Sequence, residues 1–265
     1  MSSSGRRARG RFGGWARSDA RPIVLGHRGA RRRASENTLQ AFELAMEEGA
    51  DGVELDVRLD RNGDVVVIHD PSLERVTNGR DKRLIEELGR NDYAAVDLGG
   101  GARVPALEEV LDWARTRGAR VNVELKRDVR RRGLFVWKVA KLLAREPDAR
   151  DRFLVSSFDP RLVAAVARLL PRVPTGWLVD EPGPIPGRSF FERLVGARAV
   201  HPKASLVTAA GISPWQRDGL FVNVWTVNDP DEARRLDELG VDALISDEPG
   251  KILAALRRAN ADDGR

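Results

Sequence analysis

The chain has 265 residues, 42% of them hydrophobic, enough to bury a substantial core as one large α/β domain. It contains no cysteine, which excludes a disulfide framework and a thiolate metal site, and no apolar run approaches the roughly 18 residues a membrane span needs. A net charge of +5 invites an anionic partner, but arginine outnumbers lysine 39 to 6 and no helix-turn-helix, zinc-finger spacing or aromatic RNA-binding signature accompanies it, so no specific nucleic acid is expected.

Residues 1–21 carry Arg6, Arg7, Arg9, Arg11, Arg17 and Arg21 without the apolar stretch of a secretory signal. They read as a disordered basic tail on a cytoplasmic protein. The β-branched run from Ile23 ends at His27 and Arg28. Apolar residues at helical spacing follow over 38–46, and Gly49 stops that helix. The segment 52–59 reads as a strand, and its period of two puts Glu54 and Asp56 on one face. Asn62-Gly63 signals a hairpin that returns residues 65–69 antiparallel, bringing His69 back toward those carboxylates.

Residues 71–104 are polar and rich in turn signals, with one short helical stretch near 84–88, and read as an insertion. Alternation resumes with a helix over 106–117 and a strand over 120–126, which presents Glu124 and Lys126 on one face. Further strands are predicted at 152–157, 174–179, 197–201, 220–226 and 242–246. Helices are predicted near 134–145, 160–170, 189–195, 207–217, 231–239 and 249–258, so the domain spans 22–260 and leaves 261–265 as a short tail.

Eight strands, each followed by a helix, predict a (β/α)8 TIM barrel with a small insertion after strand 2. An open doubly wound sheet is the rival. The placement of His27, Glu54, Asp56, Glu124, Lys126, Ser156, His201, Trp225 and Ser246 at or near strand C-termini favours the barrel, where those ends converge on one mouth.

Two acids on one strand face repel unless positive charge lies between them. Glu54 and Asp56 therefore suit a hard divalent cation, Mg²⁺ or Ca²⁺, or else form a solvated face paired with arginines. Glu124 extends the oxygen set, unless it is a structural salt-bridge partner of Arg28, while Arg28 and Lys126 add positive charge fit for a phosphate. His27 and His69, two of only three histidines, end strands on either side of the carboxylates, as a proton-donating and proton-accepting pair would. His201 ends a strand without such neighbours and is expected to be structural.

His27-Arg28-Gly29-Ala30, Ser35-Glu36-Asn37-Thr38, Glu54-Leu55-Asp56-Val57, His69-Asp70, the segment 104–110, Glu124-Leu125-Lys126, Ser156-Ser157-Phe158 and Trp225-Thr226-Val227-Asn228 occur in that order. From about residue 22 to 258 the chain resembles the glycerophosphodiester phosphodiesterase family, TIM barrels with a small insertion after the second strand. The resemblance implies metal-dependent hydrolysis of glycerophosphodiesters to an alcohol and glycerol 3-phosphate, in some relatives through a cyclic phosphate. It further implies that Glu54, Asp56 and Glu124 hold one Mg²⁺ or Ca²⁺, that His27 and His69 are general acid and base, and that Arg28 and Lys126 bind the phosphate. Glu36, Ser156, Phe158 and Trp225 are supporting candidates. Ser35 departs from the family, where proline often precedes Glu-Asn-Thr.

Arg31-Arg32-Arg33 and Arg130-Arg131-Arg132 fall on loops at the expected mouth, the second beside Phe135-Val136-Trp137. They raise an alternative substrate class, lysophospholipids at an anionic lipid surface, as against ordinary solvated arginines. Two other classes compete: a glycoside hydrolase with Glu54 and Glu124 as its acid pair, and a non-enzymatic anion- or nucleic-acid-binding protein using the basic tail. The pattern specifies no oligomeric state.

Overall fold

The computed structural model describes residues 10–181 and 190–262. Strands β1 (Ile23–His27), β2 (Gly52–Leu59), β3 (Val65–Val67), β4 (Arg120–Leu125), β5 (Phe153–Ser157), β6 (Thr175–Val179), β7 (Ala199–Pro202), β8 (Phe221–Val224) and β9 (Ala243–Ser246) form one sheet. All but β3 pair in parallel, and β1 joins both β2 and β9, so those eight strands close into a ring. Helices α1 (Leu39–Glu47), α2 (Arg90–Ala94), α3 (Leu107–Arg117), α4 (Arg132–Leu143), α5 (Ala149–Arg152), α6 (Pro160–Leu169), α7 (Phe190–Leu194), α8 (Ala209–Arg217), α9 (Pro230–Glu238) and α10 (Pro249–Asp262) make up the remainder. This is the (β/α)8 barrel rather than the open sheet.

The strands alternate between two environments. Val53, Leu55 and Val57 of β2 and Val121, Val123 and Leu125 of β4 point outward into the largest hydrophobic core, against Leu107, Val110, Phe135 and Val139 of α3 and α4. The intervening residues point into the barrel, and the register sets Glu54 beside Asn122 and Asp56 beside Glu124. Strand-to-helix turns are fixed by local chemistry. Thr38 caps α1 by accepting from the Ala41 N–H, and Asp159-Pro160 and Asp229-Pro230 start α6 and α9 in the same way.

The expected disordered tail is corrected for residues 10–21. Gly10–Trp15 form a 3₁₀ segment, and Phe12 and Trp15 are buried against the inward side chains Ile23, Leu25, Leu154, Ala199, Phe221, Ala243 and Ile245. These rings floor the barrel because its inward residues at that end are apolar and would otherwise face water. Arg17 and Arg21 are ion-paired with Asp237 and Asp51 at 2.7 and 2.6 Å, and Arg120 Nε donates to the Gly14 carbonyl at 2.7 Å. Residues 1–9 of that tail lie outside the described residues, as do 263–265 of the expected C-terminal one.

The hairpin forms as expected, with β3 antiparallel to the end of β2 (Val57 opposite Val67, Leu59 opposite Val65) and Gly63 at φ 84° in its turn. The insertion is more ordered than its polarity suggests. Leu73, Ile85, Leu88, Tyr93 and Val104 pack with Val66 and Ile68 into a small core of their own. Among the described residues no helix is long and apolar enough to cross a membrane.

Candidate active site

The barrel mouth is assembled from the ends of β1, β2, β4 and β9 together with their loops. After His27 the chain turns sharply, with Arg28 at φ 56° and Gly29 at φ 86°. A Cβ at Gly29 would lie 2.6 Å from the Ala41 backbone, so only glycine fits. The turn aims the Arg28 N–H at Glu54 Oε2 (3.1 Å), puts Arg28 Nε 2.9 Å from Asp56 Oδ2, and sends Nη1 to Glu36 Oε1 at 3.0 Å. Asn37, also at positive φ, brackets Asp56: its Nδ2 donates to Oδ2 at 2.9 Å and its Oδ1 accepts the Asp56 N–H at 3.2 Å.

Glu54, Asp56 and Glu124 converge, with one carboxylate oxygen of each within 4.8 Å of the others. All three are buried, so they are not a solvated acidic face. Lys126 Nζ donates to Glu124 Oε1 at 2.7 Å and to Asp56 Oδ1 at 3.3 Å, so Lys126 rather than Arg28 is the ion-pair partner of Glu124. Burial and the neighbouring acids Asp56 and Glu124 hold the Glu54 carboxyl well above the usual range. Burial and then Asp56 push Glu124 up to about 7, against the pull of Lys126. Burial would raise Asp56 as well, but Arg28 and Lys126 outweigh it and hold Asp56 ionised.

Two of three acids are thus driven toward protonation even with Arg28 and Lys126 beside them. The cluster carries more negative charge than its own cations neutralise. An all-oxygen donor set with that electrostatic demand fits a hard divalent cation.

Each histidine is held by an aspartate. His27 Nδ1 lies 2.6 Å from Asp247 Oδ1, leaving Nε2 on the side of Glu54, 3.9 Å from Oε2. Asp247 follows β9 and is fixed by Asn228, whose Nδ2 donates to Oδ2 at 2.8 Å while its Oδ1 accepts the Asp247 N–H at 2.9 Å. His69 Nδ1 lies 2.7 Å from Asp70 Oδ1, and the His69 carbonyl accepts from Arg58 Nε at 2.6 Å. Burial, aided by Arg28, lowers the pKa of both rings despite the upward pull of their aspartates. His69 also feels Asp56, Lys126 and Arg28, which ties it to the same cluster. The sequence motifs include Asn37, Asn228 and Asp70 but assign them no role, and Asp247 and Arg58 carry no motif at all.

Glu36 faces Arg28, Arg31 and Arg75 and is not among the grouped carboxylates. Phe158 and Trp225 form an edge-to-face pair at 5.5 Å, half-buried, with Arg127 5.8 Å from the Phe158 ring. Ser156 is fully buried beside Glu124 in the barrel interior. His201 is buried too, bonded to Asn223 at 3.1 Å and packed over Gly176. Most arginines of the two triplets are paired within the chain: Arg31 to Glu36, Arg33 to Glu48, Arg130 to Glu86 and Arg132 to Asp159, while Arg131 donates to backbone carbonyls of the β2–β3 turn.

A closed parallel barrel with its ionisable groups gathered at the C-terminal mouth is the architecture of a TIM-barrel enzyme. The chain belongs to the glycerophosphoryl diester phosphodiesterase family, whose model matches residues 27–251; it is an enzyme of that class, a phosphoric diester hydrolase. It is 31% identical over 242 residues to a glycerophosphodiester phosphodiesterase of Caldanaerobacter subterraneus subsp. tengcongensis, covering 89% of this chain and 98% of the relative. A Bacillus altitudinis glycerophosphodiester phosphodiesterase is 33% identical over 240 residues, covering 87% and 96%. Among solved structures, a Silicibacter pomeroyi protein superposes with a TM-score of 0.84 at 27% identity, covering 94% of this chain and 98% of the other. An Oleispira antarctica phosphodiesterase in complex with the product sn-glycerol-3-phosphate has a TM-score of 0.81 at 27% identity, covering 89% and 97%.

Proposed function

We propose that the enzyme hydrolyses small glycerophosphodiesters to glycerol 3-phosphate and an alcohol, with His27 and His69 as its acid/base pair. Glu54, Asp56 and Glu124 are read as the ligands of one divalent cation, Mg²⁺ or Ca²⁺, and Arg28 and Lys126 as the phosphate-binding cations. The observation that carries this reading is the pair of aspartate-held imidazoles at one carboxylate cluster. The glycerol 3-phosphate bound in the Oleispira antarctica relative supports the substrate class.

With each Nδ1–H donated to its aspartate, both rings keep Nε2 for the substrate. One Nε2 takes the proton of the attacking hydroxyl as its oxygen bonds to phosphorus. The other, entering the step as the imidazolium with a second proton on Nε2, gives that proton to the departing alkoxide as the ester P–O bond breaks. If the attacking hydroxyl is the substrate's own glycerol hydroxyl, a cyclic phosphate forms first, and the histidines exchange roles when water opens it. Arg28 and Lys126 hold the non-bridging oxygens as charge grows on them.

A divalent cation held by Glu54, Asp56 and Glu124 would supply positive charge to offset the negative charge that grows on the phosphate. With all three carboxylates ionised, as holding a dication requires, they and the two cations sum to −1, and two further positive charges would bring the site to +1, which favours a diester monoanion. The internal pairing of the arginine triplets supports small diesters over a lipid surface.

The test is a panel of glycerophosphocholine, glycerophosphoethanolamine and lysophosphatidylcholine with Mg²⁺, Ca²⁺ or chelator. Glycerol 3-phosphate should be released from the first two in a chelator-sensitive way. His27→Ala and His69→Ala should each lower kcat about 10²- to 10⁴-fold with unchanged melting. Absence of release with either ion, or wild-type turnover in either variant, overturns the reading, and preference for the lysophospholipid moves it to the lipid class.

A further inference from the structure

Arg75 lies on the insertion, and its guanidinium grips two carboxylates from separate segments. Nε and Nη2 donate to Asp70 Oδ2 and Oδ1 at 2.5 and 3.2 Å, while Nη1 and Nη2 donate to Glu36 Oε2 and Oε1 at 3.1 and 2.7 Å. Each carboxylate also holds a residue of the site through a shared oxygen. Asp70 Oδ1 is the partner of His69 Nδ1, and Glu36 Oε1 accepts from Arg28 Nη1. The backbone around Arg75 is braced, since Leu73 is fully buried and Thr77 Oγ1 donates to the Leu73 carbonyl at 2.8 Å.

We propose that Arg75 is a positioning residue: one guanidinium fixes both His69, through Asp70, and Arg28, through Glu36, so the insertion completes the site. The inference rests on the roles proposed above for His69 and Arg28. Arg75 is 47% exposed, so its ion pairs contribute little to stability. Orientation is the effect four donor–acceptor contacts in a planar fork deliver best, and a lysine, with a single nitrogen, cannot reproduce it.

Arg75→Ala and Arg75→Lys should each lower kcat on glycerophosphocholine about 10- to 100-fold, with a smaller change in KM. Both should melt within about 2 °C of wild type. Millimolar guanidinium should restore part of the activity of Arg75→Ala, and ethylammonium should not. In histidine-¹⁵N-labelled protein, the His69 ring signals should shift in Arg75→Ala, and by more than those of His27, which Arg75 reaches only through Glu36 and Arg28.

Wild-type kcat in Arg75→Lys, or unshifted His69 signals in Arg75→Ala, overturns the proposal. His69→Ala is assayed alongside. If it is inactive while Arg75→Ala is wild-type, only the Arg75 inference falls; if His69→Ala is fully active, the acid/base reading falls. Should Arg75→Ala fail to fold, Arg75→Lys and Arg75→Gln carry the same measurements.

Discussion

His201 stays neutral across the ordinary pH range while the barrel is closed. It sits fully buried over Gly176, where a Cβ would come within 2.4 Å of its Nε2, and burial holds its pKa down to about 3 from an ordinary 6.5. The unfolded chain takes up a proton near pH 6.5 and the folded one only near 3. Stability is therefore fully present above 6.5 and is lost as pH falls between those values. Going from pH 7 to pH 5 should cost about 2 kcal/mol through this residue. Urea denaturation at both pH values checks it: His201→Gln should show a flatter pH dependence than wild type, and an unchanged slope would refute the assignment. The residues legible in sequence were those whose own strand orients them, namely Glu54 with Asp56, Glu124 with Lys126, and the two histidines at strand ends. Asp247 was not legible, because its meaning comes from a partner 220 positions away. Its neighbour Ser246, at a strand end, was the available signal.

The 3₁₀ segment Gly10–Trp15 is the barrel's floor. Trp15→Ala removes a fully buried indole and should cost about 3–5 kcal/mol, measured by urea unfolding with activity followed in parallel. A loss below about 1 kcal/mol would mean the rings cover the floor without supporting it. Charge density hid this element: Phe12 and Trp15 were the apolar signal within an arginine-rich stretch. The hairpin was legible because Asn62-Gly63 specifies its turn chemically. The insertion's core was not, since only Ile85 and Leu88 fall in its one predicted helical stretch, and Leu73, Tyr93 and Val104 join them only by folding back on Val66 and Ile68.

At the scale of the molecule, barrel closure forces three buried acids together, and the strain of that crowding is measurable. Saturating Mg²⁺ or Ca²⁺ should raise the unfolding free energy by about 2–3 kcal/mol through binding only the folded form. Glu54→Gln and Glu124→Gln should lose most of this gain, yet without added ion each should be at least as stable as wild type, because a neutral amide removes like-charge repulsion. A destabilised ion-free variant would mean that the carboxylate is needed for packing instead. The ring was legible from eight alternating units, since parallel strands need a helix between them. Its seam lies between the first strand and the last, and the His27–Asp247 contact crosses it. The enzyme therefore has a built-in order in time. A chain still emerging from the ribosome without β9 holds both histidines and all three acids but lacks the carboxylate that contacts His27 Nδ1, so the site is complete only once β9 has been made and has closed the ring against β1.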